Sequence, residues 1–261
     1  MTEYFQKLPE SLKDFCEIFQ AELPRIIPDN LIGIYIYGSI SYGAFEENRS
    51  DVDVAAIIKR PFSPDEFKKL SDWYKTDSLA VSPWLKKLEM DFINVDDVLT
   101  PKNEIFTSRF ASGELKEKVK FAGALMNLEN LKSCGITLFG EAPEIFIPEI
   151  NAELLSDALA DKFKCLKENI FAWEKIDLWN QVYVVVQLCR VVYVLENNGK
   201  PVSKKSAAEW CEKNLPDQFR PMISVVLNKI DDFTGMRENI ISENLPSLVE
   251  YVEELLQAKT I

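Results

Sequence analysis

The stretch LIGIYIYGSISYGAFEENRSDVDVAAIIK, residues 31–59, decides the fold of the N-terminal half. Residues 31–38 are mostly apolar and end at a Gly-Ser pair, which predicts a buried strand followed by a turn. Residues 51–59 predict a second strand, and LEMDFINV at 88–95 predicts a third. The N-terminal half is therefore expected to contain a sheet.

Helical patterns flank these strands and then replace them. Apolar residues recur at helical spacing over 9–22, and Ser63 and Glu66 have the spacing of a capping box that opens a helix to about Thr76. Beyond Pro101 the strand signals fade. The helical segments predicted there are 114–133, 151–174, 178–196, 204–214 and 236–258.

The run VYVVVQLCRVVYVL at 182–195 is rich in β-branched residues, so by local propensity it would also suit a strand. Its length and its flanks favour a buried helix. We therefore predict an α+β protein. Residues 1–148 would form a mixed sheet with flanking helices, and residues 149–261 an all-α helical bundle.

Four residues near the first two strands suggest phosphate and metal chemistry. Alternate strand residues project from one face, so Asp51 and Asp53 would stand about 6.5–7 Å apart and share divalent cations such as Mg²⁺. Gly38 lets the backbone approach a ligand closely, and the Ser39 hydroxyl and the N–H groups after it could donate to phosphate oxygens. A metal-bound triphosphate fits this set. Each motif also has a purely structural interpretation, Gly38-Ser39 as an ordinary turn and Asp51 with Asp53 as a capped strand start.

The third strand adds Glu89 and Asp91, two acids on one face with apolar residues on the other. A third carboxylate from this strand would complete a metal site. The alternative is an ordinary half-exposed strand with its polar residues turned outward. The residues alone do not decide whether Asp91 shares a role with Glu89.

Composition excludes several classes of protein. The chain has 261 residues and no histidine, which excludes Ser-His-Asp and Cys-His catalysis and imidazole metal ligands. Its 30 basic and 42 acidic residues give a net charge of −12, which argues against a nucleic-acid partner and suits a cationic one. The five cysteines form no C-x-x-C pair, and neither a secretory signal nor a membrane span is indicated, so we expect a cytoplasmic protein. The sequence leaves the oligomeric state open.

The pattern G-S-x(11)-D-x-D, with an acid on a later strand, resembles the polymerase-beta-type nucleotidyltransferase superfamily. More narrowly, the chain is similar to the aminoglycoside adenylyltransferases that act on streptomycin and spectinomycin. The motifs that carry this likeness are YGS at 37–39, SDVD at 50–53, LE at 88–89, LFG at 138–140, GK at 199–200 and AAEW at 207–210. The resemblance implies a nucleotidyltransferase domain, a C-terminal helical domain, and a cleft between them for ATP and the drug.

The resemblance also implies roles for individual residues. The metal ligands would be Asp51, Asp53 and Glu89 binding Mg²⁺, with Glu89 also acting as the catalytic base for the acceptor hydroxyl. ATP would be the substrate that donates AMP. The residues implied to bind its phosphates are Gly38, Ser39, Ser50, Arg190 and Lys204.

The acceptor side departs from the drug-modifying enzymes. Their acceptor tryptophan falls near Arg109, and at the start of the central C-terminal helix, where they have an acid, this chain has Asn180 and Gln181, with Asp177 one turn earlier. Asp177 and Asn180 are the predicted acceptor-binding residues, for a small cationic acceptor. With Glu174, Trp179 and Tyr183, Asp177 would form an acidic, aromatic wall.

Three alternatives stay open. The chain could transfer a nucleotide to a protein, an RNA or a metabolite instead of an antibiotic. It could sense nucleotides without catalysis. The helical half could serve mainly as an interaction domain, although core packing explains its apolar residues more simply.

Overall fold

The computed structural model describes residues 8–48, 50–75, 82–172, 178–229 and 239–259. The chain divides into two compact units, Met1–Ile150 and Asn151–Ile261. The first is α+β and the second is helical, which confirms the predicted fold class. The predicted boundary, between residues 148 and 149, lies close to the division between these units.

The first unit is built on a six-stranded sheet with the order β5-β4-β3-β2-β1-β6. Its strands are β1 (Leu31–Ile36), β2 (Val52–Ile58), β3 (Leu88–Asn94), β4 (Phe106–Ala111), β5 (Glu114–Lys120) and β6 (Ile136–Phe139). Strands β2 and β3 pair in parallel, and the other neighbouring strands pair antiparallel. The helices are α1 (Lys13–Ile26), α2 (Gly38–Ser41), α3 (Pro64–Trp73), α4 (Val95–Leu99), α5 (Ala124–Cys134) and α6 (Pro143–Phe146).

One face of the sheet carries the main core of this unit. Val54 and Met90 belong to a buried apolar cluster that includes Phe19 of α1 and Trp73 of α3, whose rings meet edge to face at 5.6 Å. Because strand side chains alternate, Asp53 and Glu89 project from the opposite face. Burial of one face therefore leaves the polar residues of β2 and β3 together on the other.

Helix α3 begins as its sequence predicts. The Ser63 hydroxyl accepts a hydrogen bond from the Glu66 N–H, and the Glu66 carboxylate accepts one from the Ser63 N–H. Pro64 follows the cap and lacks an N–H that would need a partner there. The predicted end of this helix, at about Thr76, lies outside the described residues.

The prediction of one helix over 114–133 is wrong for its first part. Residues 114–120 form strand β5, and the helix begins only at Ala124. Strand β5 is an edge strand with mostly exposed side chains, so its sequence shows no alternation, and its charged residues suit a helix equally well. The missed signal is Ser112-Gly113, a two-residue turn with positive φ at both positions that joins β4 to β5.

The second unit consists of helices α7 (Ala152–Ala172), α8 (Leu178–Glu196), α9 (Lys204–Asn214), α10 (Arg220–Lys229) and α11 (Asn239–Lys259). Helix α8 lies at its centre, in contact with the other four. The run 182–195 is helical, as predicted, because its β-branched side chains are buried by neighbouring helices. Helix α10 was not predicted.

Within the described residues, α8 is the one helix whose length and composition would let it cross a membrane. Of its apolar window, 56% is buried inside the unit. A core helix of a bundle has the same length and composition, so this is weak evidence for a span.

Candidate active site

Asp53 and Glu89 are register partners on the parallel strands β2 and β3. Adjacent strands lie about 4.8 Å apart, and both side chains project from the face opposite the apolar core. Asp53 is half-buried, and the Glu89 side chain is 43% exposed. The structure therefore brings these two predicted site residues together, on the accessible face of the sheet opposite the apolar core.

Asp51, the third predicted metal ligand, is exposed and immediately precedes β2. Among the described residues, no group of three or more aspartates, glutamates or cysteines is arranged to hold a metal ion by itself. Mg²⁺ is usually bound by one or two carboxylates and completes its shell with water and substrate phosphates. The paired carboxylates of Asp53 and Glu89 thus fit a magnesium ion that arrives with a polyphosphate.

The turn after β1 lies directly against Asp53. The Tyr37 N–H donates to the Asp53 carbonyl at 3.1 Å, and Gly38 then takes a left-handed conformation with φ of +67°. A Cβ atom at Gly38 would fall 2.0 Å from Oδ2 of Asp53. Only glycine lets the backbone approach this carboxylate so closely.

Asn130 of α5 holds this turn in place, and it was not predicted from the sequence. Its Oδ1 accepts from the Gly38 N–H at 2.7 Å, and its Nδ2 donates to the Ser41 hydroxyl at 3.0 Å. Ser41 in turn donates to the Gly38 carbonyl at 3.0 Å. Asn130 is 2% exposed and lies between Leu128 and Leu131, so a polar residue on the apolar face of a helix was the available signal.

The two predicted phosphate-binding serines differ in their surroundings. The Ser39 hydroxyl is buried and has no hydrogen-bond partner among the described residues. The Ser50 hydroxyl accepts from the Glu46 N–H at 3.0 Å, and the Ser50 N–H donates to the Glu46 carbonyl at 2.8 Å. Ser50 thus closes the loop before β2, whereas Ser39 has an unused hydroxyl beside Gly38.

Asp91 projects from the same face of the sheet as Glu89 but lies within a buried network. It has no exposed surface, and it accepts hydrogen bonds from the Thr107 hydroxyl at 2.7 Å and from Arg109 Nε and Nη2 at 2.9 and 2.7 Å. Burial lowers the pKa of Arg109, but its hydrogen bonds to Asp91 and that charge raise it above the ordinary value. Burial and then the Asp91 charge raise the pKa of Tyr37, whose hydroxyl lies 3.5 Å from Asp91. Asp91 is therefore fully engaged, and Glu89 is the accessible acid of this strand.

The helical unit contains a group of neighbouring cations. Arg190 lies in α8, and its buried Nε has no hydrogen-bond partner among the described residues. Lys204 opens α9, with Nζ 5.4 Å from the centroid of the Tyr183 ring. Burial, followed by the charges of Arg190 and Lys204, lowers the pKa of Lys162, which was not predicted as a site residue. Such a group is suited to an anion.

The predicted acceptor residues are only partly described. Asn180 is half-buried in the first turn of α8, whereas Glu174 and Asp177 lie outside the described residues. Trp179 is 58% exposed and stacks on Tyr183, with ring centroids 5.5 Å apart. The helix start thus presents an exposed aromatic surface.

Comparison with known proteins assigns a family to each part of the chain. Residues 12–120 match the nucleotidyltransferase domain, and residues 146–257 match the C-terminal domain of aminoglycoside adenylyltransferase. The aminoglycoside (3'') (9) adenylyltransferase of Escherichia coli is 22% identical over 244 residues, covering 88% of each chain. The enzyme of the same name from Rhizobium radiobacter is 23% identical and covers 66% of this chain and 64% of its own length.

A solved structure shares the fold. The spectinomycin adenyltransferase of Enterococcus faecialis, crystallised with ATP and spectinomycin, matches with a TM-score of 0.69 and 17% identity. The match covers 95% of this chain and 98% of that one. The two matches occur in sequence order, a nucleotidyltransferase domain followed by the C-terminal domain of aminoglycoside adenylyltransferase, and the chain is similar over most of its length to enzymes of that name.

Proposed function

We propose that this protein is an adenylyltransferase that transfers AMP from Mg-ATP to a hydroxyl of an aminoglycoside or aminocyclitol, with release of pyrophosphate. The observation that carries the proposal is the pairing of Asp53 and Glu89 in register, beside the glycine turn at Gly38. Two carboxylates beside a glycine turn, whose backbone a ligand can approach closely, suit a metal-bound polyphosphate. The named relatives from Escherichia coli and Rhizobium radiobacter supply the reaction class.

In this proposal Asp51, Asp53 and Glu89 hold Mg²⁺. When bound, the metal neutralises charge on the transferring phosphoryl group. Glu89 also takes the proton from the acceptor hydroxyl, whose oxygen bonds to the α-phosphorus as the bond to pyrophosphate breaks. The 43% exposure of the Glu89 side chain leaves it accessible to an acceptor, whereas Asp91 is enclosed.

The proposed phosphate contacts rest on a buried hydroxyl donor and on a group of neighbouring cations. Ser39 has a buried hydroxyl without a partner among the described residues, which supports a hydrogen bond to a phosphate oxygen. In the helical unit, Arg190 has a buried Nε without a partner among the described residues, and it lies near Lys204 and Lys162. A polyphosphate would offset the mutual repulsion of these three cations.

The acceptor contacts would come from residues at and just before the start of α8. Trp179 stacked on Tyr183 would pack against a sugar ring, and Asn180 and Asp177 would hydrogen bond to it. Asn180 is uncharged where drug-modifying relatives are expected to have an acid, which favours a second candidate, a different hydroxyl-bearing acceptor. We place the reaction in the cytoplasm, where ATP is available, and expect no nucleic-acid partner because the net charge is −12.

The test is a pyrophosphate-release assay with Mg-ATP and a panel containing streptomycin, spectinomycin and other aminocyclitols. We expect release that depends on an acceptor, and an acceptor product heavier by one adenylyl group in mass spectrometry. Asp53→Asn should lower turnover by about 100- to 1,000-fold, because it removes a charged contact to the transition state. Glu114→Gln, an exposed acid on edge strand β5, is the matched control and should retain turnover.

The outcomes separate the candidates. Turnover on aminocyclitols supports the antibiotic acceptor, and turnover on another acceptor alone supports the second candidate. Nucleotide binding without turnover on any acceptor would contradict an enzymatic function and favour a nucleotide sensor.

A further inference from the structure

We infer that Arg109, fixed by the buried carboxylate of Asp91, is a positioning residue that holds Glu89 in its reactive orientation. The inference rests on the proposed function, because it concerns the residue proposed as base. Arg109 Nη1 lies 3.8 Å from Glu89 Oε2, while Nε and Nη2 of the same guanidinium bind Asp91. One arginine therefore joins a buried acid to the exposed acid two residues earlier on β3.

The buried end of this arrangement is rigid. Asp91 and Arg109 are register partners on the antiparallel strands β3 and β4, so the backbone sets their separation. The planar guanidinium makes two parallel hydrogen bonds to Asp91, and Thr107 donates a third at 2.7 Å. Two bonds to a planar group leave it no rotational freedom, so the position of Nη1 is also fixed.

At the exposed end of this arrangement, the Glu89 side chain gains a fixed orientation from Arg109. The Glu89 side chain is 43% exposed, and an exposed glutamate can occupy several rotamers. Chemistry at its carboxylate depends on positioning to within about 0.5 Å. The positive charge of Nη1 favours the rotamer that points toward Arg109, which lies on the site face of the sheet. Arg109 itself need not touch the reacting atoms.

A lysine could not replace this function. Its single ammonium group can pair with Asp91 or approach Glu89, but it lacks the fork that does both at fixed geometry. Removing the arginine alone would leave Asp91 buried without its partner, which destabilises proteins strongly. The paired substitution Asp91→Asn with Arg109→Met removes both charges and avoids that penalty.

The experiment compares the double variant D91N/R109M and the single variant R109K with the wild-type protein. The measurements are kcat and KM in the acceptor-dependent pyrophosphate assay, the affinity for Mg-ATP by calorimetry, and the melting temperature. The matched control is D97N/K102M, which removes an ion pair between α4 and the loop after it.

We expect kcat to fall about 10- to 100-fold in D91N/R109M and in R109K, because misplacement of about 1 Å has that effect on reacting groups. The affinity for Mg-ATP should fall by less than kcat does, since Asp51, Asp53 and the phosphate contacts are unchanged, whereas proton transfer depends on Glu89 alone. The control should retain the wild-type kcat. If D91N/R109M does not fold, R109K decides the matter, because it retains the buried charge.

A kcat within twofold of the wild type in a folded variant would overturn the inference. So would a loss of Mg-ATP affinity at unchanged kcat, which would make Arg109 a nucleotide ligand. If the wild-type protein transfers AMP to no acceptor, the proposed function fails, and that result is visible before any variant is compared.

Discussion

The carboxylate of Asp53 leaves no room for a side chain at Gly38, where a Cβ atom would fall 2.0 Å from Oδ2. Gly38 also has a φ of +67°, a backbone conformation that residues with a side chain rarely adopt. Gly38→Ala should therefore displace Asp53, lower turnover by at least about tenfold and reduce the free energy of unfolding by about 1–3 kcal/mol. Steady-state kinetics and urea denaturation measure the two effects.

Gly43 offers a matched control for that substitution. Its φ is also +67°, but a Cβ atom there would meet nothing within 4 Å. Gly43→Ala should reduce stability by about 1 kcal/mol through its backbone conformation alone and leave turnover near the wild-type value. Equal loss of turnover in the two variants would show that the contact with Asp53 is unimportant.

Asn130 should support both stability and nucleotide binding. Asn130→Ala leaves the Gly38 N–H without the acceptor that it has at 2.7 Å, so we expect a loss of about 1–3 kcal/mol in the free energy of unfolding. The loosened turn should also raise KM for ATP. The control is Asn127→Ala in the same helix, because the Asn127 side-chain amide donates to the Ala122 carbonyl at an exposed position. A normal KM for ATP in Asn130→Ala would contradict this role.

Glu66 should make stability depend on pH. Hydrogen bonds from the Arg60 guanidinium, with those of Ser63, lower the pKa of Glu66 from 4.5 to about 2. A depressed pKa in the folded state stabilises the protein above about pH 4.5, and this contribution is lost as the pH falls toward 2. The difference in free energy of unfolding between wild type and Glu66→Gln should thus shrink over that range in urea titrations.

Arg60→Met tests the stated cause. Removing the guanidinium should weaken the same dependence on pH, because Arg60 makes two hydrogen bonds to the Glu66 carboxylate at 2.7 and 3.1 Å. An unchanged profile in Arg60→Met would assign the effect to the helix cap instead.

Magnesium and ATP should bind together more tightly than either binds alone. Asp53 and Glu89 supply only part of a magnesium coordination shell, and phosphate oxygens would complete it. Calorimetry should show a gain in Mg²⁺ affinity of tenfold or more when ATP is present, and EDTA should abolish turnover. Asp53→Asn should lose that gain, while Glu114→Gln keeps it; independent binding of the two ligands would argue against a shared site.

The sequence predicted the sheet strands that carry the site because their signals are local. The apolar runs at 31–38, 51–59 and 88–95 are bounded by turn residues, and the structure has strands within each. Strands β4, β5 and β6, all beyond Pro101, were not predicted. For β5 the reason is that an exposed edge strand has no buried face to impose alternation. Its pairing with β4 across the Ser112-Gly113 turn overrides local helix propensity.

The residues of the candidate site also divide into those that local sequence patterns predict and those that only the fold brings together. Gly38, Asp53 and Glu89 could be predicted as candidates because strand periodicity and glycine conformation are readable from sequence. Asn130 was missed, and Arg109 was named only as the counterpart of an acceptor tryptophan, since their contacts join residues 92 and 18 positions apart in the chain. The different surroundings of Glu89 and Asp91 also appear only once β4 is placed beside β3.

A crystal structure of the protein with Mg²⁺ and a non-hydrolysable ATP analogue tests the central claim most directly. We expect the metal about 2.0–2.2 Å from an oxygen of Asp53, with Asp51 and Glu89 in its shell and phosphate oxygens within hydrogen-bond distance of Ser39. A nucleotide bound elsewhere, or a metal without contact to Asp53, would contradict the account.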